Sequence, residues 1–305
     1  LSMRDLVQFF YHPAKAFLKF SLGMKLWDED ASPPDFEPLE IDSLERYKLM
    51  SRMIQLLDSG EKVSSLYDLE RAEGRLPPGD LGEVWFGEAE QEVTKFFDMW
   101  EDFLIPASGE PNIFEEFIEG ITFRGENPPL RNGKHVLFRC SQKISGKDRV
   151  RSWVEHVCAC ANPSVENFET VFLSSDKKYL HIRRIPHNDA VCLLSGLIKL
   201  RLTGMQSPLP FFPKSSFAYF EKIAAANLSK DSSEEEITHA RRKALGSAQK
   251  EWEGVNMRGH KIPGEGEDFS NQTCFGNTPF SDDRFSELAN SFFGGFSQYT
   301  EVKTR

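Results

Sequence analysis

Apolar residues recur at helical spacing through most of residues 1–105, and this pattern predicts a helical first part of the chain. The first stripe begins at Leu6 and reaches Pro13, which should end or kink the helix because proline lacks an amide proton. Ser2 and Asp5 have the spacing of a capping box, which marks the start of that helix. An acidic, proline-rich linker over 28–42 is followed by predicted helices at 44–57, 63–71 and 81–103.

Residues 106–205 show shorter apolar runs that are typical of strands. Ile121 and Phe123 lie in the first run, and His135–Cys140 forms the second, after a loop rich in Pro, Asn and Gly. Apolar positions at helical spacing follow over 150–161. Two more strands, 168–173 and 178–184, precede another helix. The order strand, loop, strand, helix predicts an α/β (α+β) class with a small mixed sheet and many helices.

The last part, 206–305, is predicted to be helical and irregular. Helices are expected at 217–227, 233–252 and 281–296, with an irregular glycine-rich stretch at 256–279. The segment Ser207–Pro213 contains three prolines, which resist helix and sheet and are expected to hold its two Phe side chains outward. Exposed aromatic residues favour a partner-docking surface, whose predicted residues are Phe211, Phe212, Phe285 and Phe292. The alternative is that these side chains pack back onto the core.

The strand order of 106–205 is that of restriction-endonuclease-like (PD-(D/E)XK-type) folds, which hold Mg²⁺ with an Asp on one strand and acid-x-Lys on the next. Here the first strand offers Phe123 and Arg124, and the second offers Phe138–Cys140. Phe cannot bind Mg²⁺, Arg repels it and Cys is too soft a ligand. We therefore predict a degenerate nuclease-like core with no catalytic residue and no metal. The alternative is an active Mg²⁺ nuclease whose acidic residue has migrated to Glu119 or Glu126.

Composition narrows the functional classes further. The 305 residues carry a net charge of −10, so the chain as a whole is no generic binder of polyanions. The five cysteines show no disulfide framework and favour a reducing cytoplasm. No run is apolar and long enough to span a membrane, and none resembles a signal peptide. The chain does not begin with Met, from which we expect a fragment of a longer protein, forming one domain over 1–305.

One stretch reverses the acidic balance of the chain. Residues 131–151 contain a single acid, Asp148, against seven cations, namely Arg131, Lys134, Arg139, Lys143, Lys147, Arg149 and Arg151. Clustered cations bind phosphates with little regard to sequence, so these residues are the predicted DNA-binding set. The alternative is a solvated charged face. The loop Glu126–Lys134, stiffened by two prolines, is a candidate wedge at a DNA fork.

Two other motifs point to no cofactor. His156, Cys158 and Cys160 have metal-ligating side chains, but residues two apart on a helix point away from each other, so buried thiols are expected. The glycines of 259–266 lack the pattern of a phosphate-binding loop, and Glu265 and Glu267 would repel phosphate. No cofactor is therefore predicted in this domain.

The opening LSMRDLVQFFYHPAKAFL resembles the start of the C-terminal region in the exodeoxyribonuclease V gamma chain (RecC) family. Four further stretches agree with that family in order: Leu76-Pro77 with Gly79 and Gly82-Glu83; Trp153 with Glu155-His156; Gly204-Met205 with Pro208-Leu209; and Ala240-Arg241 running to Glu253-Gly254 and Met257-Arg258-Gly259. The departures are sparse identity over 105–150 and a divergent tail after Gly259.

The resemblance implies a domain shaped like the nuclease domain of the partner beta chain but without its catalytic residues. It also implies a parent protein in a heterotrimeric helicase–nuclease complex with RecB-like and RecD-like subunits, which processes double-strand breaks. In that complex the region would lie beside DNA and dock the small helicase subunit. Three functions thus remain open: a non-catalytic guiding and docking module, an active nuclease, and a scaffold that never touches DNA.

Overall fold

The structure is a computed structural model that describes residues 1–25, 43–140, 143–229, 232–257, 260–277, 279–280 and 283–305. These residues form eleven α-helices and eight β-strands, so the chain is a mixed α/β protein with small sheets. Within the described part, no helix combines the length and apolarity needed to cross a bilayer. The predicted linker over 28–42, and with it the cap of the following helix, lies outside the described residues.

The helices are α1 (Met3–Tyr11), α2 (Pro13–Ala16), α3 (Ser43–Asp58), α4 (Ser64–Ala72), α5 (Asp80–Met99), α6 (Gly146–Cys160), α7 (His187–Gln206), α8 (Pro213–Ala225), α9 (Glu234–Glu253), α10 (Phe269–Phe275) and α11 (Asp283–Tyr299). A π-helical turn, Phe17–Ser21, continues α2. The strands are β1 (Asn112–Ile118), β2 (Ile121–Asn127), β3 (Lys134–Arg139), β4 (Glu169–Ser174), β5 (Lys178–Ile182), β6 (Gly254–Met257), β7 (His260–Pro263) and β8 (Thr300–Thr304).

A four-stranded mixed sheet, in the order β3-β4-β5-β8, forms the centre of the fold. β3 and β4 are parallel, while β4-β5 and β5-β8 are antiparallel. A parallel pair needs a crossover connection, and α6 supplies it between β3 and β4. Helix α6 begins with a capping box at Ser145 and Asp148, which satisfies the first amide donors of the helix.

Both faces of this sheet are covered, which explains why every residue of β4 except its first is buried. Phe172 faces a core cluster that includes α6, α7 and α11. Val171 and Leu173 point the other way, toward α3 and α5, where Trp100 donates from Nε1 to the carbonyl of Ser174 at 3.1 Å. Alternation along one strand therefore anchors two separate helical layers.

The predicted first core strand corresponds to β2, but it does not share a sheet with β3. β2 pairs only with β1 among the strands, in a separate antiparallel hairpin. Two contacts hold the segment between β2 and β3 away from the central sheet. The side chain of Asn127 donates to the carbonyl of Ala159 at 3.2 Å, and the backbone of Leu130 pairs with that of Ser108. The two strands that correspond to the metal-site strands of a nuclease therefore lie in different sheets of this structure.

Helix boundaries predicted near Ser2, Pro13 and Ser233 are confirmed, whereas the helix predicted at 217–227 begins earlier, at Pro213. Ser2 and Asp5 form the capping box of α1, and α2 starts at Pro13. Ser233 caps α9, which ends at Gly254. In contrast, the stretch 256–279, expected to be irregular, contains β7 and α10, and the C-terminal strand β8 was not predicted at all.

The prediction that Phe211 and Phe212 are held outward is wrong. Phe211 is 2% exposed and Phe212 is 1% exposed. The segment is extended, as the prolines suggest, but an extended backbone points successive side chains to opposite sides. Phe211 packs on Phe292, with ring centroids 4.7 Å apart, while Phe212 packs on Trp252 at 4.7 Å in a different cluster.

Phe285 and Phe292, the other two predicted docking residues, are also core. Phe285 is fully buried against Phe212 and Tyr219, and Phe292 contacts Phe10 as well as Phe211. The aromatic side of α11 is buried because it packs against α1 and α8. None of the four side chains can serve as an exposed anchor on this surface.

Candidate nucleic-acid interface

Three of the seven predicted DNA-binding cations line one groove. Arg131, Arg139 and Arg151 surround a groove of about 350 Å³ between α3 and the free edge of β3. Its floor is apolar and includes Met50 and Phe138. The residues come together because β3 carries Arg139, the preceding turn carries Arg131, and α6 carries Arg151 back past the same edge.

Each arginine of this groove is already engaged by a carboxylate. Arg131 pairs with Asp58 and donates from Nη1 to the carbonyl of Ile105 at 2.6 Å. Arg139 Nη2 lies 3.0 Å from Asp148 Oδ1, and Arg151 Nε lies 2.9 Å from Glu155 Oε1. Two of the three partner acids, Asp58 and Glu155, lie outside the 131–151 stretch. The groove is thus less positive than its arginines suggest.

The ion pair on α6 is only partly shielded from solvent. Burial raises the pKa of Glu155, and the neighbouring Arg151 opposes that rise. The side chain of Glu155 is 14% exposed, but that of Arg151 is 46% exposed, so water weakens the pair. Arg151 neutralises Glu155 and therefore adds less positive charge to the groove than an unpaired arginine would.

The other four cations of the run do not join the groove. Lys134 Nζ lies 2.6 Å from Glu169 Oε2 on the neighbouring strand. Arg149 stacks 4.0 Å above the ring of Phe217 and donates to the carbonyl of Ile144, and burial lowers its pKa. Lys143 is exposed and Lys147 is half-buried; neither forms an ion pair with a described residue.

The positions that a nuclease would use for metal also lie apart. Phe123 is buried, and Arg124 points outward on β2 opposite Glu115. Cys140 is buried beside α5, and burial raises the pKa of its thiol to about 12. Across the described ranges, no three His, Cys, Asp or Glu side chains are close enough to share a metal ion.

The two acids of the alternative nuclease hypothesis occupy different surroundings. Glu119 lies at the β1–β2 turn, where its Oε1 accepts from Ser195 at 2.6 Å and lies 3.1 Å from Lys199 Nζ. These hydrogen bonds lower the pKa of Glu119. Glu126 is exposed on β2 opposite Ile113. Neither carboxylate lies on the sheet that contains β3.

The candidate wedge loop is short and clamped. Its outer residues Asn132 and Gly133 form an exposed tight turn with positive φ angles. Backbone hydrogen bonds between Arg131 and Lys134 close that turn. This stiffness is compatible with a wedge, and the role itself stays a prediction.

His156, Cys158 and Cys160 are buried, and the expectation of buried thiols is confirmed. Both ring nitrogens of His156 have partners: Nδ1 lies 2.9 Å from Thr170 Oγ1 and Nε2 lies 3.0 Å from the carbonyl of Arg183. The carbonyl can only accept, so Nε2 carries the proton and Nδ1 accepts from Thr170. Burial raises the pKa of both thiols, to about 11 for Cys160.

Comparison with known proteins identifies the family of this chain. Residues 1–224 match the family model described as the RecC C-terminal domain. The chain belongs to the RecC C-terminal domain family. Among relatives, the RecBCD enzyme subunit RecC of Escherichia coli (strain K12) is 27% identical over 223 residues, which are 72% of this chain and 19% of that protein. The RecBCD enzyme subunit RecC of Mycobacterium tuberculosis (strain H37Rv) is 25% identical over 225 residues, 72% of this chain and 20% of that protein. The chain spans about a fifth of the length of the curated relatives it matches.

The match to the RecC C-terminal domain ends inside α8, but described residues after that point pack on the same core. Phe293 and Phe296 of α11 belong to the same core cluster as Leu6 of α1. β8 adds the last strand of the central sheet. The divergent tail therefore completes the core of this RecC C-terminal domain.

Several partners of named residues in this RecC C-terminal domain were missed by sequence analysis. His12 Nε2 lies 2.9 Å from Asp268 Oδ1. Burial by itself would raise the pKa of Asp268. The hydrogen bond and charge of His12, together with backbone donors, outweigh burial and lower the pKa of Asp268 to about 2. The carboxylate of Glu265 accepts from the amides of Lys214 and Ser215 at the start of α8. Asp268 could have been recognised as the N-cap of α10, but pairing across 250 residues leaves no local signal.

The buried histidines predict acid sensitivity of this RecC C-terminal domain. Burial lowers the pKa of His156 to about 4 and that of His135 to about 3. The unfolded chain therefore binds these protons first, so stability is complete above about pH 6.5 and is lost as pH falls toward 4. From pH 7 to 4.5 we expect each histidine to lower the free energy of unfolding by about 2 kcal/mol.

Urea unfolding at several pH values measures this loss. His156→Asn, which keeps an acceptor for Thr170, should flatten the slope of stability against pH by about one histidine's share. Asp268 and the buried glutamates contribute equally to both proteins and cancel in the difference. An identical slope in the variant would mean that His156 has the same pKa in the folded and the unfolded chain, and would contradict the prediction.

Proposed function

We propose that this RecC C-terminal domain is a non-catalytic, nuclease-like module of a helicase–nuclease complex that processes double-strand breaks. In this proposal it guides DNA and docks RecB-like and RecD-like subunits. Support comes from the family match and from the order of hairpin, strand, helix and strand through β4, which is the element order expected of a nuclease-like core. Five free cysteines, three of them buried, favour a cytoplasmic location for the complex.

The observation that carries the non-catalytic role is the chemistry of the second strand. β3 and the residue after it place Phe138, Arg139 and Cys140 where acid-x-Lys would be needed, and Arg139 is held by Asp148. A cation and a protonated thiol at these positions oppose divalent metal binding. The alternative nuclease would have to use Glu119, which Ser195 and Lys199 already engage.

A nuclease assay tests this role. The purified chain, incubated with Mg²⁺ or Mn²⁺, is expected to leave single- and double-stranded DNA intact, because its strands lack paired hard ligands. Turnover that disappears on Glu119→Ala or Glu126→Ala would contradict the proposal and support the active nuclease. Contaminating nuclease would survive those substitutions, so the two variants also serve as controls.

Docking is tested separately from chemistry. The tagged chain is expected to capture RecB-like or RecD-like subunits expressed with it. Failure to capture either subunit would remove the docking part of the proposal and would leave the nuclease result unaffected. Phe117 lies on the β1–β2 hairpin and its side chain is 75% exposed, so a substitution there leaves the core unchanged and serves as a control for the capture assay.

A further inference from the structure

Helices α8 and α9 carry several exposed cations that have no ion-pair partner among the described residues. All five lysines and arginines concerned are exposed, and none has a carboxylate within ion-pair distance among the residues that the structure describes: Lys222, Arg241, Arg242, Lys243 and Lys250. In the 131–151 run, by contrast, four of the seven cations are held in ion pairs. The density of basic residues along the sequence thus does not locate the most available positive charge.

A groove of about 600 Å³ runs between α8 and α9 beside these cations. Lys222 lies on the α8 side and Lys243 on the α9 side, so positive charge flanks the groove from both helices. Side chains with hydrogen-bond donors, Asn227, Ser232 and Ser247, also line it. Arg242 extends the basic rim, with Nη2 3.1 Å from His239 Nδ1.

Acidic residues are concentrated at the start of α9, at one end of the groove. Glu236 lines the groove itself, and Glu234 and Glu235 lie with Arg242 and His239 around the adjoining shallow pocket. Its Oε2 accepts from the amide of Ser233 at 2.8 Å and from the hydroxyl of Ser233 at 3.1 Å, as part of the α9 capping box. Capping fixes this carboxylate at the start of the helix, one turn or more from Arg242 and Lys243.

Packing explains the shape of the groove. Ala244 and Ala248 are fully buried where α9 packs on α8, and small residues allow two helices to approach closely. The lining also includes Ala225, Ala226 and Ala240, whose short side chains leave room between the longer ones. Lysines on both sides, with hydroxyl and amide donors between them, are the groups that contact a sugar–phosphate backbone.

We infer that the α8–α9 groove binds the phosphate backbone of DNA without regard to base sequence. Lys222 and Lys243 contact phosphates from opposite sides, and Arg242 contacts the next phosphate along the rim. The inference rests on the proposed function, because it gives the guided DNA a defined surface. That surface lies mostly on α9, beyond the residues matched by the family model.

The test removes three charges from the 305-residue chain by Lys222→Ala, Arg242→Ala and Lys243→Ala. Binding is measured by fluorescence anisotropy with a labelled oligothymidine strand and a labelled duplex, each of about 20 nucleotides or base pairs, which separates the two forms of DNA. At low salt we expect affinity to fall by about 10-fold or more, and the slope of log K against log salt to decrease by about 2.

A matched control removes the same charge elsewhere. Lys62→Ala, Arg71→Ala and Lys95→Ala are exposed positions on and before α4 and α5, and we expect their combined effect to stay within about 2-fold. Circular dichroism and melting confirm that both triple variants are folded. Equal weakening by the control would show that only net charge matters and would overturn the inference.

Other outcomes are equally decisive. Wild-type affinity in the α8–α9 variant would overturn the inference; if Lys143→Ala with Lys147→Ala then weakened binding, DNA guiding would stand at another surface. No binding of either DNA by the wild-type chain at low salt would overturn the inference and the DNA-guiding part of the proposal, while subunit capture would still be testable. Displacement of DNA by polyglutamate at equal charge and equal concentration would show that the groove prefers an acidic protein.

Discussion

Replacing Phe211 and Phe212 together with serine is expected to unfold the domain. Phe211 packs against Phe292 and Phe293 in one core cluster, and Phe212 packs against Trp252 in another. Loss of a buried Phe side chain typically costs about 3–5 kcal/mol, so two losses approach the whole stability of an ordinary domain. Each serine also brings a hydroxyl into an apolar site, which adds a desolvation penalty.

Circular dichroism and urea unfolding measure the effect. Phe117→Ser is the matched control, because Phe117 is 75% exposed and its loss should change the free energy of unfolding by about 0.5 kcal/mol or less. A double variant that remains folded with wild-type stability would show that the two rings lie outside the core, and would restore them as docking candidates.

Removing residues 225–305 is expected to abolish folding, even though the family match ends at residue 224. The deletion removes Phe292, Phe293 and Phe296 from the core cluster that contains Leu6. It also removes Trp252 and Phe285 from the cluster that surrounds Phe212. Five large aromatic side chains at about 3–5 kcal/mol each exceed the stability available to a domain of this size. The shortened chain should be aggregated or lack a cooperative melting transition.

A milder truncation after Tyr299 provides the comparison. It removes β8 and the hydrogen bonds between β8 and β5, but it leaves the aromatic residues of α11 in place. This chain should fold with reduced stability and a lower melting temperature. A cooperative transition in the chain that ends at 224 would contradict the role assigned here to the tail.

The chemistry of single residues can be judged from the sequence, whereas the pairing of charges across the fold cannot. Arg139 and Cys140 could be recognised as unsuitable metal ligands from residue chemistry alone. The basic run at 131–151 could also be read from the sequence, but its neutralisation could not. Asp58 and Glu169 reach Arg131 and Lys134 only because α3 and β4 pack beside β3.

The sequence by itself determined the helices with caps and prolines, the buried strand β4, and family membership through dispersed motifs. These features depend on residues close together in the chain. Only the tertiary structure decided that Phe211 and Phe212 are buried, because the exposure of an extended segment depends on what packs on each side of it. The tertiary structure likewise separated β2 from β3 and recruited β8 into the sheet, because strand pairing between distant segments follows from long-range packing that local sequence does not encode.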